Sequence, residues 1–271
     1  MRIAAIMGSP HRGASYALTQ RIEAELAARG GVEFGYIHLK DLHLEPCRGC
    51  FACFLKGKDS CPLEDDKRVI EERIEAADGV LFVSPVYSMH VSSLMKLFID
   101  RFSYTFHRPR YFDKYALAVA TTGAMGLKET LAYLRGVAIC WGFRFVDRIG
   151  LAAPPRPLPL VKPQKDRTAE VAERFYRAIR ERRPRRLGFV DHLMFHSMRA
   201  LYQHLGGLDP VPYDFTYWKE RGMFEPGRRY FVDARSSALV NLAARLTAAP
   251  VGGQVRKALA TGGAPGRAGA G

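Results

Sequence analysis

The chain has 271 residues, 48% hydrophobic and 25% charged, enough for a sizeable core and too apolar for global disorder. No apolar run reaches the about 18 residues of a membrane span, so none is expected. Of the +14 formal charge, residues 1–150 hold only +3 (20 Lys+Arg, 17 Asp+Glu) and residues 151–271 hold +11 (21 against 10), which suits nucleic acid, anionic lipid, an acidic partner or simply a solvated arginine-rich surface.

Residues 2–7 (RIAAIM) form a short apolar run that stops at Gly8, as a buried parallel strand does, and too short for a signal peptide. A cytoplasmic protein is therefore expected, with reduced thiols. Helical spacing over 14–29 is followed by a strand over 32–39. A helix is predicted over 65–77, with Asp65 and Asp66 suited to its amino end. Then come a strand at 79–84, a helix at 91–104, a strand at 115–121, a helix at 127–141 and a strand at 143–151. Strands this apolar, alternating with helices, specify a parallel sheet covered on both faces. Five of them in about 150 residues fit a flavodoxin-like doubly wound α/β domain over 1–152.

Five prolines in 153–163 make 153–165 an extended linker. Residues 166–250 read as a basic helical and aromatic extension. It has helices over 166–182 and 187–205, an irregular aromatic arm over 210–224 and a short helix over 236–247. Residues 251–271 read as a disordered tail. No internal repeat is evident. The extension lacks base-reading motifs, so no specific nucleic acid is expected.

In a doubly wound sheet, ligands sit at the carboxyl ends of the strands beside the switch point. Segments 8–15, 85–88 and 121–126 should therefore converge. GSPHRGAS (8–15) links strand to helix, where backbone N–H groups and the helix dipole attract an anion. Ser9 and Ser15 add hydroxyls, and His11 and Arg12 add positive charge. The spacing nearly matches G-x4-G-K-[ST], but Ala14 stands where the lysine of a nucleoside triphosphatase belongs, and G-x-G-x-x-G is missing. A single phosphate, such as that of FMN, or an ordinary strand–helix turn remains. Pro85 and Tyr87 can flank a flat ring, and the glycines of TTGAMG allow close backbone approach.

The stretch CRGCFACFLKGKDSC places Cys47, Cys50, Cys53 and Cys61 within fifteen residues, followed by Pro62. Such spacing suits an iron–sulfur cluster, zinc or metal-free redox thiols. Cys140 lies in an apolar helix and reads as a packed thiol. His192 and His196 are four apart, yet HLMFH lacks the Glu of H-E-x-x-H and reads as packing or solvated histidines. Tyr213, Phe215, Tyr217 and Trp218 suit packing on the core or on a second subunit, or the cap of a flavin pocket.

Taken in order, GSPHRGAS, CRGCFACFLKGKDSCPLEDD, ADGVLFVSPVYSMHVSSLMKLFIDR and TTGAMG resemble the NAD(P)H-dependent FMN reductase superfamily. Within it they resemble most the iron–sulfur flavoproteins. The resemblance implies an FMN oxidoreductase whose phosphate loop involves Ser9, His11, Ser15 and Tyr16. The ring would be held by Pro85, Val86, Tyr87, Ser88, Thr122 and Gly123. It implies a [4Fe–4S] cluster on the four cysteines at a subunit interface, NAD(P)H as electron donor, a homodimer or tetramer, and a small-molecule or protein electron acceptor. Two alternatives stay open. One is a cluster-free FMN, quinone or nitroaromatic reductase. The other, of a different class, is a basic docking protein for an anionic partner or membrane surface.

Overall fold

A computed structural model describes residues 1–154 and 165–261. The chain divides into two compact units, Met1–Cys50 with Pro62–Arg183, and Phe51–Cys61 with the residues from Pro184 onward.

The first unit runs β1 (Arg2–Met7), α1 (Ala14–Ala27), β2 (Glu33–His38), then, after the cysteine segment and its short helix α2 (Ala52–Leu55), α3 (Lys67–Ala76), β3 (Gly79–Tyr87), β4 (His90–Val91), α4 (Ser93–Arg101), α5 (Tyr104–His107), β5 (Tyr115–Thr122), α6 (Leu127–Cys140), β6 (Arg144–Ala152) and α7 (Thr168–Glu181). Five strands pair in parallel in the order β2-β1-β3-β5-β6, and β4 adds an antiparallel two-residue pair to the end of β3. The α/β flavodoxin-like expectation holds. Side chains alternate across the sheet as the pleat requires. Ile3, Ala5, Met7, Leu81, Val83, Leu117 and Val119 share one core with Leu18, Ile22 and Leu26 of α1. The opposite face is aromatic: Phe82 meets Phe98 of α4, Trp141 and Phe143, with ring centroids 5.6–6.5 Å apart.

Helix α7 corrects the grouping of 166–250 as one extension. Its stripe Val171, Ala172, Phe175 and Ile179 is buried in the core shared by α1 and the sheet. A Cβ on Gly79 would lie 2.7 Å from both Ile179 and Phe175, so α7 seats where β3 starts with no side chain. The proline run hides this return, and most of the expected linker (155–164) lies outside the described residues.

The second unit holds α2, β7 (Arg186–Leu187), α8 (Phe189–Tyr202), α9 (Tyr213–Glu220), β8 (Arg235–Ser236) and α10 (Ala238–Ala260). The arm expected to be irregular contains α9, because Trp218 is fully buried and stacks on Phe195 at 5.7 Å, with Tyr202 and Phe231 around it. The helix expected over 236–247 runs on to Ala260, taking in residues 251–260 of the expected tail; residues 262–271 are outside the described ones. It continues through Pro250 because Ala244, Ala248 and Gly252 form a small-residue seam against α8, where a Cβ on Gly252 would meet Ala200 at 3.6 Å. That packing outweighs the backbone hydrogen bond a helical proline forfeits.

Candidate functional site: three strand ends and a cysteine segment

Strand β1 delivers the chain to Gly8, whose N–H donates to the Val83 carbonyl at 2.8 Å. A Cβ at Gly8 would stand 2.8 Å from Met95 Cβ and 3.0 Å from Ser92 Oγ, so no side chain passes there. Ser92 is fully buried and caps α4 by accepting from the Met95 N–H at 3.2 Å. Its hydroxyl donates to the Gly8 carbonyl at 2.6 Å, and its N–H donates to Ser84 Oγ at 3.0 Å. The carboxyl ends of β1 and β3 are thus tied from below. Within the loop, Ser9 Oγ donates to the His11 carbonyl at 2.7 Å.

Helix α1 starts after Gly13, which offers no capping side chain, and its first turn holds no acidic residue. Its leading N–H groups and the positive end of its dipole therefore suit an anion. A Cβ at Gly13 would run into the His11 ring at 2.9 Å. Arg12 lies over the Tyr16 ring at 5.4 Å from its centroid. Tyr16 in turn meets Tyr36 at 5.4 Å and His38 at 5.9 Å. Ser15 is buried, and its hydroxyl shares a 2.6 Å hydrogen bond with Thr121 Oγ1, which joins the first loop to the end of β5.

The second and third segments also meet. Strand β3 runs three residues past its expected end, so Pro85 pairs with Thr121 and Val86 and Tyr87 form a hairpin with Val91 and His90. The two turn residues, Ser88 and Met89, both take positive φ (47° and 71°), the backbone that suits the right-handed twist of a two-residue hairpin. Gly126 sits against this turn with φ 82°; a Cβ there would be 2.7 Å from Val86 Cγ1 and 2.8 Å from Met89 Cα. Thr122 Oγ1 donates to the Met125 carbonyl at 2.6 Å and accepts from the Ala124 N–H at 3.2 Å, which shapes the 122–125 turn. Gly123 faces open space, and Tyr87 and Met125 are exposed. Replacing Gly126 with Ala should cost at least about 1–2 kcal/mol, the penalty of a side chain in left-handed backbone. Thermal unfolding with and without flavin measures it; an unchanged melting temperature would mean that the two turns do not constrain each other.

The cysteine segment leaves the first unit through a clamped stem. Asp65, 1% exposed, takes a bidentate ion pair from Arg101 of α4 at 2.9 Å and accepts the Glu45 N–H at 3.0 Å. Asp66 accepts the His43 N–H at 2.8 Å. The two aspartates expected to serve the start of α3 thus also pin the two ends of the loop; Asp65 Oδ1 accepts the Lys67 N–H at 3.2 Å, while Asp66 makes no capping bond through its side chain. Cys47 and Cys50 are exposed, and Cys53 and Cys61 are half-buried. In the second unit the Tyr213 ring lies 3.6 Å from the position of a Cβ on Gly57, whose φ is 104°, so α9 packs directly on this segment.

A sequence profile described as NADPH-dependent FMN reductase matches residues 1–155, more than half of the chain. The chain belongs to that family. An iron-sulfur flavoprotein of Archaeoglobus fulgidus is 26% identical over 225 residues, covering 82% of this chain and 99% of the relative. One of Clostridioides difficile is 26% identical over 229 residues, covering 82% and 100%. One of Methanocaldococcus jannaschii reaches 38% over 101 residues, covering 37% of this chain and 51% of that protein. The crystal structure of RosB with a bound 8-demethyl-8-formylriboflavin 5′-phosphate intermediate aligns with TM-score 0.51 at 13% identity, over 67% of this chain and 79% of that one, a likeness of fold alone.

For a member of the FMN reductase family, an uncapped helix start, a backbone cradle free of side chains and an open approach at Gly123 fit a flavin mononucleotide. Four thiols suit a cluster chemically, yet among the described residues no group of three or more His, Cys, Asp or Glu side chains is placed to hold a metal ion. Cys140 is half-buried, and burial pushes its thiol up to about 11, so it is protonated and unreactive at neutral pH. His192 and His196 are buried in α8, His192 Nδ1 against the Arg229 carbonyl at 3.1 Å and His196 Nε2 against Asn241 Oδ1 at 2.9 Å, as packing histidines. The sequence reading gave no role to Ser84, Ser92 and Thr121, and gave Gly126 only the role of close backbone approach. Of these, Ser92 carried a signal, a serine directly before an apolar helical run.

Proposed function

We propose that this FMN-dependent oxidoreductase takes reducing equivalents from NAD(P)H and passes them to a small-molecule or protein acceptor. In this reading the N–H groups opening α1, with Ser9, His11, Arg12, Ser15 and Tyr16 around them, hold the flavin phosphate. The Ser15 hydroxyl shares a hydrogen bond with Thr121, so Ser15 offers the phosphate its backbone N–H and, where Thr121 is the donor, its O–H as well. Pro85, Val86, Tyr87 and Ser88 on one side and Thr122 and Gly123 on the other orient the ring and exclude water from it. Bound FMN supplies hydride exchange at its N5 position, so no side chain need act as acid or base. The observation that carries the reading is the mutual attachment of segments 8–15, 85–89 and 121–126, which lie far apart in sequence.

The finer part of the proposal assigns Cys47, Cys50, Cys53 and Cys61 to a [4Fe–4S] cluster in a homodimer or tetramer. Its support is the four-thiol donor set and the iron–sulfur names of relatives that align over nearly their full length. A cluster-free reductase is the second reading, favoured by the lack of a gathered metal site among the described residues. Iron, sulfide, zinc and flavin analysis of anaerobically reconstituted protein separates them. Serine at any of the four positions should lower iron and sulfide together, whereas serine at Cys140 should leave both unchanged, and FMN should persist in all five variants. Zinc without sulfide, or neither, would remove the cluster from the proposal.

A further inference from the structure

Helix α10 carries an apolar face that the second unit leaves uncovered. One side, Ala244, Ala248 and Gly252, is buried against α8, while Leu239, Leu242 and Leu246 are 78%, 41% and 64% exposed. At 100° per residue these three leucines fall within an arc of about 60°. Helices α8 and α10 run side by side in the same direction, since β7 and β8 pair in parallel just before them and His196 bonds Asn241. Phe189 and Val190, the first residues of α8, are 41% and 62% exposed at the same end. Five large apolar side chains thus stand in solvent at one end of a two-helix layer, the kind of patch that marks an interaction surface.

The charge around it is mainly positive: Asp191, in the first turn of α8, is paired with Arg185 at 3.4 Å, and exposed Asp233 precedes β8. Arg186, Arg235, Arg245, Arg256 and Lys257 are exposed, and none takes part in an ion pair among the described residues. No acidic residue occurs from position 234 to the end of the chain. A two-fold contact with a second copy would set these five cations against themselves with few carboxylates to offset them, since Asp191 is already paired with Arg185. An anionic lipid surface complements them, and leucines flanked by arginine are what an interfacial helix inserts at the headgroup boundary. Among the described residues no helix is long and apolar enough to cross a bilayer, and the contact proposed is a peripheral one.

We propose that the exposed face of α10, with the start of α8, docks this protein on anionic membrane surfaces. The test uses the full-length, FMN-loaded protein and co-sedimentation with vesicles of phosphatidylcholine alone or with phosphatidylglycerol. Binding is expected only with phosphatidylglycerol and should weaken as salt rises. Arg245→Gln and Arg256→Gln should each weaken it about fivefold, the equivalent of about 1 kcal/mol per cation at the surface. The double variant Leu239→Ser, Leu246→Ser should lose binding while keeping its flavin content and circular dichroism, since both leucines are solvent-exposed. No binding to phosphatidylglycerol vesicles, equal binding to phosphatidylcholine alone, or full binding by the leucine variant would overturn the proposal. So would a leucine variant that sediments as a smaller species than the parent without vesicles, which would make a second copy the occupant of this face.

Discussion

Replacing Ala14 with Asp is expected to empty the flavin site without unfolding the protein. Ala14 is the first residue of α1, and no acidic residue shares that turn. For the apoprotein the sign is favourable, because a carboxylate at a helix start is stabilised by about 0.3–1 kcal/mol. With the phosphate bound, the sign reverses. Two negative charges about 4 Å apart repel by about 4 kcal/mol at the effective dielectric of a protein surface. Even half of this weakens FMN binding about thirtyfold, and the full value weakens it about a thousandfold. Fluorescence titration of apoprotein measures the affinity, thermal unfolding of the same sample reports the fold, and Ala14→Asn is the neutral control. Unchanged FMN affinity in Ala14→Asp would remove the phosphate from the start of α1.

The largest stability effect is expected at the stem of the cysteine segment. Arg101→Met leaves the Asp65 carboxylate, 1% exposed, without its guanidinium while it still carries the Glu45 N–H. Stranding one member of a buried pair costs about 3–5 kcal/mol. The double variant Arg101→Met, Asp65→Leu should be more stable than Arg101→Met alone, since the uncompensated charge is gone, but should not regain the parent value because the backbone donors of 45 and 67 lose their acceptor. Chemical denaturation gives both numbers. A loss below about 1 kcal/mol in the single variant would mean that solvent reaches the pair.

The parallel sheet was legible because its strands are short, apolar and separated by helices of clear period. The meeting of the three candidate loops was legible because topology alone puts them at the carboxyl edge. What escaped depended on contacts between distant residues. Gly126 looks like any loop glycine until Val86 and Met89 come to lie against it, and nothing near Ser15 in the sequence announces the hydrogen bond its hydroxyl shares with Thr121. Helix α7 was placed with the wrong neighbours because nothing local records that Phe175 and Ile179 fill the space over a glycine at the start of β3. The run of α10 past Pro250 is likewise decided by its packing on α8, against local propensity. Asp65 and Asp66 obeyed a sound local rule for helix starts, yet a buried arginine thirty-six residues away set the role of Asp65.

The central claim is that one flavin mononucleotide binds where the ends of β1, β3 and β5 meet. Its most direct test is titration of apoprotein with FMN and, separately, with FAD, followed by flavin fluorescence. Saturation at one FMN per chain, with FAD binding far more weakly, is the expected result, because the cradle offers a single anion site at α1. Tight FAD binding, or no saturable FMN binding by folded protein, would contradict the account.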